Sequence, residues 1–200
     1  MTLAAPLRRS QAFTLPNILT YARVAAVPAV AGLLFWPHET WARWAALILF
    51  VGAAITDYFD GYFARAFAQQ SMLGRMLDPI ADKLLVSACL LMLAADGVIA
   101  GVSLWAAIII LCREVLVSGL REYLAELRVG MPVSRVAKWK TGFQLVAIGF
   151  LIAGPAGQPI LPATLEIGIA LLWIAAALTI YTGWDYLKIG IHHATGPEAR

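Results

Sequence analysis

The sequence predicts an all-α integral membrane protein, six transmembrane helices behind a short N-terminal interfacial segment. Three observations lead there. Of 200 residues, 61% are hydrophobic and 14% are charged, whereas a soluble domain carries about 45–50% apolar and about 25% charged residues. The apolar residues fall into six stretches, at 18–36, 41–63, 83–100, 102–120, 141–160 and 163–187, and a spanning helix needs about 20 of them. The basic residues sort almost entirely to one side of the resulting ladder. A mean hydropathy of +0.78 excludes an ordinary soluble globule and a disordered chain. It also excludes a soluble nucleic-acid binder, despite the net charge of +3.

Residues 1–16 are polar and mixed. Arg8 and Arg9 beside Leu7, Phe13 and Leu15 suit a short helix on the inner leaflet, or a frayed end with two stop-transfer charges. Arg8-Arg9 before an apolar run also has the look of a secretory signal. However, no small-x-small cleavage site follows and five more apolar segments do, so 18–36 is expected to stay as span 1. Turn or polar clusters separate the spans: Pro37-His38-Glu39-Thr40, Gln69-Gln70-Ser71, Asp96-Gly97, Arg128 to Pro132, and Gly154 to Pro159. No repeat is present. The expected plan is an N-terminal segment (1–16), one six-helix domain (17–188) and a tail (189–200). Cys89 and Cys112 both lie in apolar runs and form no CxxC pair, which predicts small buried hydrophobes.

Orientation follows from the positive-inside rule. With the N-terminus in the cytoplasm, every Lys and Arg except Arg43 lies on the inner side, and the reverse topology breaks the rule almost completely. The aromatics agree in part: the tyrosines fall at inner helix ends and Trp36, Trp41, Trp44 and Trp105 at outer ones, as aromatic belts do, whereas Trp173 lies mid-span and fits neither belt.

Four acidic residues lie close together: Asp57, Asp60, Asp78 and Asp82. Asp57 is 16 residues past Trp41, about 24 Å along a helix, so it is still at membrane depth. A carboxylate there is costly and needs compensation. Asp57, Asp60, Gly61 and Ala64 are spaced i, i+3, i+4 and i+7, one helix face; Asp78 and Asp82 are i and i+4 on the next helix. Carboxylates without interleaved Lys or His suit hard divalent cations. Two such ions can share them and grip a phosphoryl group. Gly61 and Ala64 leave room for a bulky ligand. Blander roles exist singly: Asp78-Pro79 fits a helix N-cap with Pro at the first helical position, and Asp57 or Asp60 could pair with Arg65, Arg75 or Lys83.

The pattern Asp57-x2-Asp60-Gly61-x2-Ala64-Arg65-x8-Gly74-x3-Asp78-x3-Asp82 resembles the signature of the CDP-alcohol phosphotransferases at all eight fixed positions. The resemblance implies a six-helix membrane enzyme that transfers a phosphatidyl-type group from a CDP-linked alcohol to an acceptor hydroxyl, releasing CMP. It implies that Asp57, Asp60, Asp78 and Asp82 hold two divalent ions, Mg²⁺ or Mn²⁺, with Asp82 also the general base. Gly61, Ala64, Arg65 and Gly74 would line the CDP site, Arg65 through charge-assisted bonds to phosphate or as a partner for an aspartate. The family commonly forms homodimers. No GxSxG, HxE or P-loop pattern offers another chemistry.

Glu114, Ser118 and Arg121 share one face near the inner end of span 4, and Arg135, Lys138, Thr141 and Gly142 share one at the start of span 5. Cationic faces at the depth of the aspartates suit an anionic acceptor, a phosphate first of all. Cytoplasmic Arg and Lys also set topology and bind anionic headgroups with no substrate role. Arg113 and Glu114, inside an apolar span, fit that explanation least. The phrases Arg113-Glu114, Ser118-Gly-Leu-Arg121-Glu122-Tyr-Leu-Ala-Glu126, Lys138-Trp-Lys140-Thr141 and Pro16-Asn17-Ile-Leu-Thr20-Tyr-Ala-Arg23 look like the bacterial branch of the family that joins CDP-diacylglycerol to sn-glycerol 3-phosphate. That likeness implies an acceptor-phosphate site among Arg113, Arg121, Arg135, Lys138 and Lys140. It places Asn17, Thr20 and Arg23 near the nucleotide, although Asn17 and Thr20 could simply cap span 1. The expected location is the bacterial cytoplasmic membrane, with the site at its inner face. Phosphatidylglycerol, inositol phosphate and serine are the rival acceptors. A divalent-cation transporter using buried aspartates is the alternative from another class; it predicts broken helices or an inverted repeat, and metal flux without CMP release.

Overall fold

The computed structural model describes the backbone of residues 15–67, 72–126 and 135–195, and the side chains of 17–56, 77, 80–125 and 136–188. The interfacial segment expected over 1–16 therefore lies almost wholly outside the described residues. The described chain is all-helical, with six helices and no strand: α1 (Leu15–Leu34), α2 (Thr40–Phe67), α3 (Met72–Ala95), α4 (Ser103–Glu126), α5 (Arg135–Gly157) and α6 (Thr164–Thr195). Four of them hold segments long and apolar enough to cross a membrane: Asn17–Leu34, Ser103–Ala125, Val136–Gly157 and Thr164–Lys188. The apolar part of α2, Thr40–Thr56, is shorter.

The helices outrun the apolar stretches, chiefly at the ends expected to be cytoplasmic. α3 begins at Met72 rather than near 83, α4 runs on to Glu126, α5 starts at Arg135, and α6 continues to Thr195. Apolarity reports depth in the bilayer, whereas backbone hydrogen bonding continues into the polar layer. The extra turns are the ones that carry the charged motifs. They also decide the role of Asp78: seven residues into α3, it is not an N-cap. Pro79 lies inside the helix, so the Arg75 carbonyl lacks its usual i+4 donor.

The chain divides into two compact units, residues 1–89 and 90–200. In the first, α1 packs on α2. Ala42, Ala46, Phe50 and Ala53 form the buried stripe of α2 at helical spacing, and Ile48, Leu49, Val51 and Ile55 face outward. In a bilayer that outer face meets acyl chains. Arg43, the single basic residue expected on the outer side, is buried and donates from Nε to the Pro37 carbonyl at 2.9 Å, bracing the α1–α2 connection. Trp36 and Trp41 flank it, exposed, as an aromatic belt requires.

In the second unit α6 packs against both α4 and α5. The buried apolar residues of this unit include Ala106, Ile110, Val117 and Leu124 of α4, Ala147, Ile148, Leu151 and Ile152 of α5, and Leu172, Ala175 and Ala176 of α6. The Asp96-Gly97 turn forms as predicted: Gly97 takes φ 80°, and the Asp96 carboxylate accepts from Val98 N at 3.0 Å. The turn cluster at the end of α5 begins at a kink, where Gly154 adopts φ 44°, ψ −127°. Pro155 disfavours the helical conformation for the residue before it, and only glycine takes that φ without strain. Cys89 is buried, as expected, but Cys112 is exposed. The stripe set by Ile110 and Val117 points it away from the core.

Small residues let α5 and α6 approach closely. A Cβ on Gly168 would stand 2.9 Å from Leu151 Cγ and 3.2 Å from Phe150 Cβ. Gly168→Ala is therefore expected to destabilise the detergent-solubilised protein by about 1–3 kcal/mol, the usual cost of overpacking. A lowered thermal midpoint checks this; an unchanged midpoint would mean that the two helices part freely.

Candidate active site

The backbone places the whole eight-position motif on two helices. Asp57, Asp60, Gly61, Ala64 and Arg65 are on α2, and Gly74, Asp78 and Asp82 on α3. α2 is helical from Asp57 through Arg65, so the spacing that puts Asp57, Asp60, Gly61 and Ala64 on one face holds in the folded chain. Asp78 and Asp82 are one helical turn apart on α3. The side chains of Asp57, Asp60, Gly61, Ala64, Arg65, Gly74 and Asp78 lie outside the described residues. Asp82 is described, half-buried and engaged by neighbours. The four aspartates of the motif offer carboxylate oxygens alone, a chemistry that fits a hard divalent cation.

On α1, Asn17, Thr20 and Arg23 are 0%, 3% and 1% exposed, and none of them lacks a partner. They are the third, sixth and ninth residues of the helix, too far in to be caps. Their spacing keeps them on one side. An arginine sequestered with an asparagine and a threonine inside an apolar helix is costly and needs the partners it has.

The basic faces separate into two groups. Lys138 and Arg121 are exposed, and the Arg135 side chain lies outside the described residues. Lys140 and Arg113 turn inward within the second unit. Lys140 Nζ bonds the Glu114 carboxylate, and Arg113 Nη1 stands 3.6 Å from the same Glu114 oxygen. One carboxylate thus serves two cations from α4 and α5.

Residues of α6 that sequence reasoning missed complete the surroundings of Arg113. Arg113 Nη2 reaches Thr182 Oγ1 at 3.4 Å, and its Cζ lies 5.7 Å from the centre of the Tyr186 ring. Arg113 Nε is buried without a hydrogen-bond partner, as is Gln144 Oε1, one turn beyond Lys140 on α5. Thr179, Thr182 and Tyr186, at i, i+3 and i+7, form a polar stripe through an apolar span, a pattern legible in the sequence once charge is not the only signal sought. Arg113 also borders a groove of about 530 Å³ between α4 and α6, otherwise lined mainly by apolar residues such as Ile109, Leu116 and Leu187.

Residues 13–181 match the family model described as CDP-alcohol phosphatidyltransferase. A protein of Rickettsia bellii named CDP-diacylglycerol–glycerol-3-phosphate 3-phosphatidyltransferase is 47% identical, over 87% of this chain and 93% of its own. One of Cereibacter sphaeroides with the same name is 41% identical, over 88% and 95%. An Arabidopsis thaliana protein, CDP-diacylglycerol–glycerol-3-phosphate 3-phosphatidyltransferase 2, is 37% identical, over 90% and 80%. With the family model covering most of its length and relatives this similar along nearly all of theirs, the chain belongs to the CDP-alcohol phosphatidyltransferase family.

Proposed function

We propose that the protein is a phosphatidylglycerophosphate synthase: it transfers the phosphatidyl group of CDP-diacylglycerol to sn-glycerol 3-phosphate, giving phosphatidylglycerophosphate and CMP. The observation that carries this reading is the identity of 41–47%, over nearly the whole chain, to enzymes named for these two substrates. Two cations turned inward on a membrane protein, Arg113 and Lys140, support the choice of a phosphorylated acceptor.

Members of the family generally depend on divalent cations. Asp57, Asp60, Asp78 and Asp82 would hold two, Mg²⁺ or Mn²⁺, which when bound neutralise the pyrophosphate and stabilise CMP as leaving group. Gly61, Ala64 and Gly74 leave space for the nucleotide, and Arg65 hydrogen-bonds its phosphates. Asn17, Thr20 and Arg23 border the nucleotide from α1. Arg113 and Lys140 hold the acceptor phosphate, with Arg121, Arg135 and Lys138 drawing it in from the aqueous side. Asp82 takes the proton of the acceptor hydroxyl as its oxygen bonds the lipid-side phosphorus. The bond from that phosphorus to the bridging oxygen breaks, and CMP leaves with the electron pair. The positive-inside distribution of Lys and Arg supports a cytoplasmic N-terminus and an active site at the inner face of the bacterial cytoplasmic membrane. Residues 17–188 would form the catalytic domain, flanked by the segment 1–16 and the tail 189–200, and family resemblance supports a homodimer.

The test is CMP release by the purified protein in detergent with CDP-diacylglycerol and Mg²⁺. Glycerol 3-phosphate, phosphatidylglycerol, inositol phosphate and serine are offered separately. Release with glycerol 3-phosphate alone is expected. Release with serine instead would discard the role given to Arg113 and Lys140 and keep the aspartate chemistry; release with inositol phosphate or phosphatidylglycerol instead would overturn the choice of acceptor. Folded protein that releases CMP with none of them would overturn the proposal and favour cation transport.

A further inference from the structure

We propose that Thr182, Gly183 and Tyr186 of α6 are positioning residues for the acceptor anion, acting by fixing the guanidinium of Arg113. The inference rests on the assignment of Arg113 to the acceptor phosphate.

An arginine on an apolar helix extends its long stem toward the nearest polar layer unless something holds it. Arg113 keeps only 14% of its side chain exposed, and α6 contacts it at three levels. At the stem, a Cβ on residue 183 would stand 3.2 Å from Arg113 Cγ, so the methylenes lie close over a position with no side chain. At the fork, the Thr182 hydroxyl donates its single proton to the Leu178 carbonyl at 2.9 Å. A lone pair is thereby left to accept from Arg113 Nη2 at 3.4 Å. At the end, the Tyr186 ring covers the cation at 5.7 Å, within range of a cation–π attraction. Positions 182 and 186 are one turn apart and 183 lies beside them, so one face of α6 makes all three contacts.

These contacts orient the guanidinium without exhausting it. Of its five N–H donors, one is directed at Thr182, and Nε is buried with no hydrogen-bond partner. Glu114, 3.6 Å away, attracts the cation from beyond hydrogen-bond distance. A buried guanidinium, oriented yet short of acceptors, matches the planar, bidentate needs of a phosphate. Holding the fork in place beforehand removes an ordering cost that binding would otherwise bear.

The experiment compares steady-state kinetics of CMP release by full-length Thr182→Val, Tyr186→Leu and Gly183→Ala with Arg113→Gln as reference. Thr182→Val is isosteric and Tyr186→Leu removes the ring. Both are expected to raise KM for glycerol 3-phosphate about tenfold. Their kcat and KM for CDP-diacylglycerol should change by less than about twofold. Thr182→Ser and Tyr186→Phe, which keep the acceptor oxygen and the aromatic face, should restore KM. If Arg113→Gln raises that KM and the α6 variants do not, the positioning role is wrong and the acceptor assignment stands. If Arg113→Gln leaves KM unchanged, the acceptor assignment fails and the inference falls with it. A parallel loss in both KM values and kcat, with a lowered thermal midpoint and no rescue by Ser or Phe, would make the face merely structural and overturn the proposal.

Discussion

Asp82→Asn is expected to lower kcat for CMP release by about 10²–10⁴-fold, the range that a positioned general base contributes. The substitution changes neither the size of the side chain nor the register of α3, in which Asp82 is the eleventh residue. Asp82 is half-buried, so the neutral amide meets no large desolvation cost, and the thermal midpoint should stay within a few degrees of the parent. What disappears is the negative charge and the capacity to accept a proton. The two can be separated by titrating Mg²⁺. If Asp82 only ligates an ion, the variant should regain most of its rate at high Mg²⁺, because weaker binding is overcome by concentration. If it also takes the proton of the acceptor hydroxyl, saturating Mg²⁺ leaves kcat depressed. Asp82→Glu keeps the carboxylate on a longer stem and should fall between the parent and the amide. An Asp82→Asn enzyme retaining more than about a tenth of the parental kcat would remove Asp82 from the role of base.

The catalytic motif was legible in the sequence because its positions are local. Asp57 to Ala64 fit within one helical face and Asp78 to Asp82 within one turn, so 3.6-residue periodicity places them without tertiary information. Composition predicted the number of helices for a related reason: burial in lipid selects the same apolar residues at every span. Helix ends were less legible. The turns 72–82 of α3 and 121–126 of α4 are too polar to read as membrane spans, yet they continue the helix. The surroundings of Arg113 were least legible. Charge alone did not separate Lys140 from Arg121 and Lys138, but α-helical packing turns Lys140 inward against Glu114 and leaves Lys138 and Arg121 exposed. Thr182 and Tyr186 are 69 and 73 positions beyond Arg113, and no spacing rule links them. Only the packing of α6 on α4 does.

The Glu114–Lys140 pair supplies the second large effect. Lys140 keeps 4% of its side chain exposed and Glu114 14%, so the bond between them replaces part of the solvation each has lost. Glu114→Leu would take from Lys140 the carboxylate it bonds and from Arg113 its nearby anion. Breaking such a pair from one side costs about 3–5 kcal/mol, so a large drop in thermal midpoint is expected. Lys140→Met should cost less, since Glu114 still has Arg113 at 3.6 Å. The double variant Glu114→Leu/Lys140→Met removes both charges and fills the space with apolar atoms. Its midpoint should recover most of what Glu114→Leu alone loses, because a well-packed apolar pair often equals or exceeds a buried ion pair in stability. Function should not recover with it. If Lys140 helps to hold the acceptor phosphate, the refolded core lacks one of its two inward cations, and KM for glycerol 3-phosphate should remain raised about tenfold or more. KM for CDP-diacylglycerol should stay near that of the parent. The pattern of restored stability with unrestored acceptor affinity separates a site retained for binding from one retained for packing. Recovery of both together would assign the pair to the fold alone and leave the acceptor phosphate to Arg113.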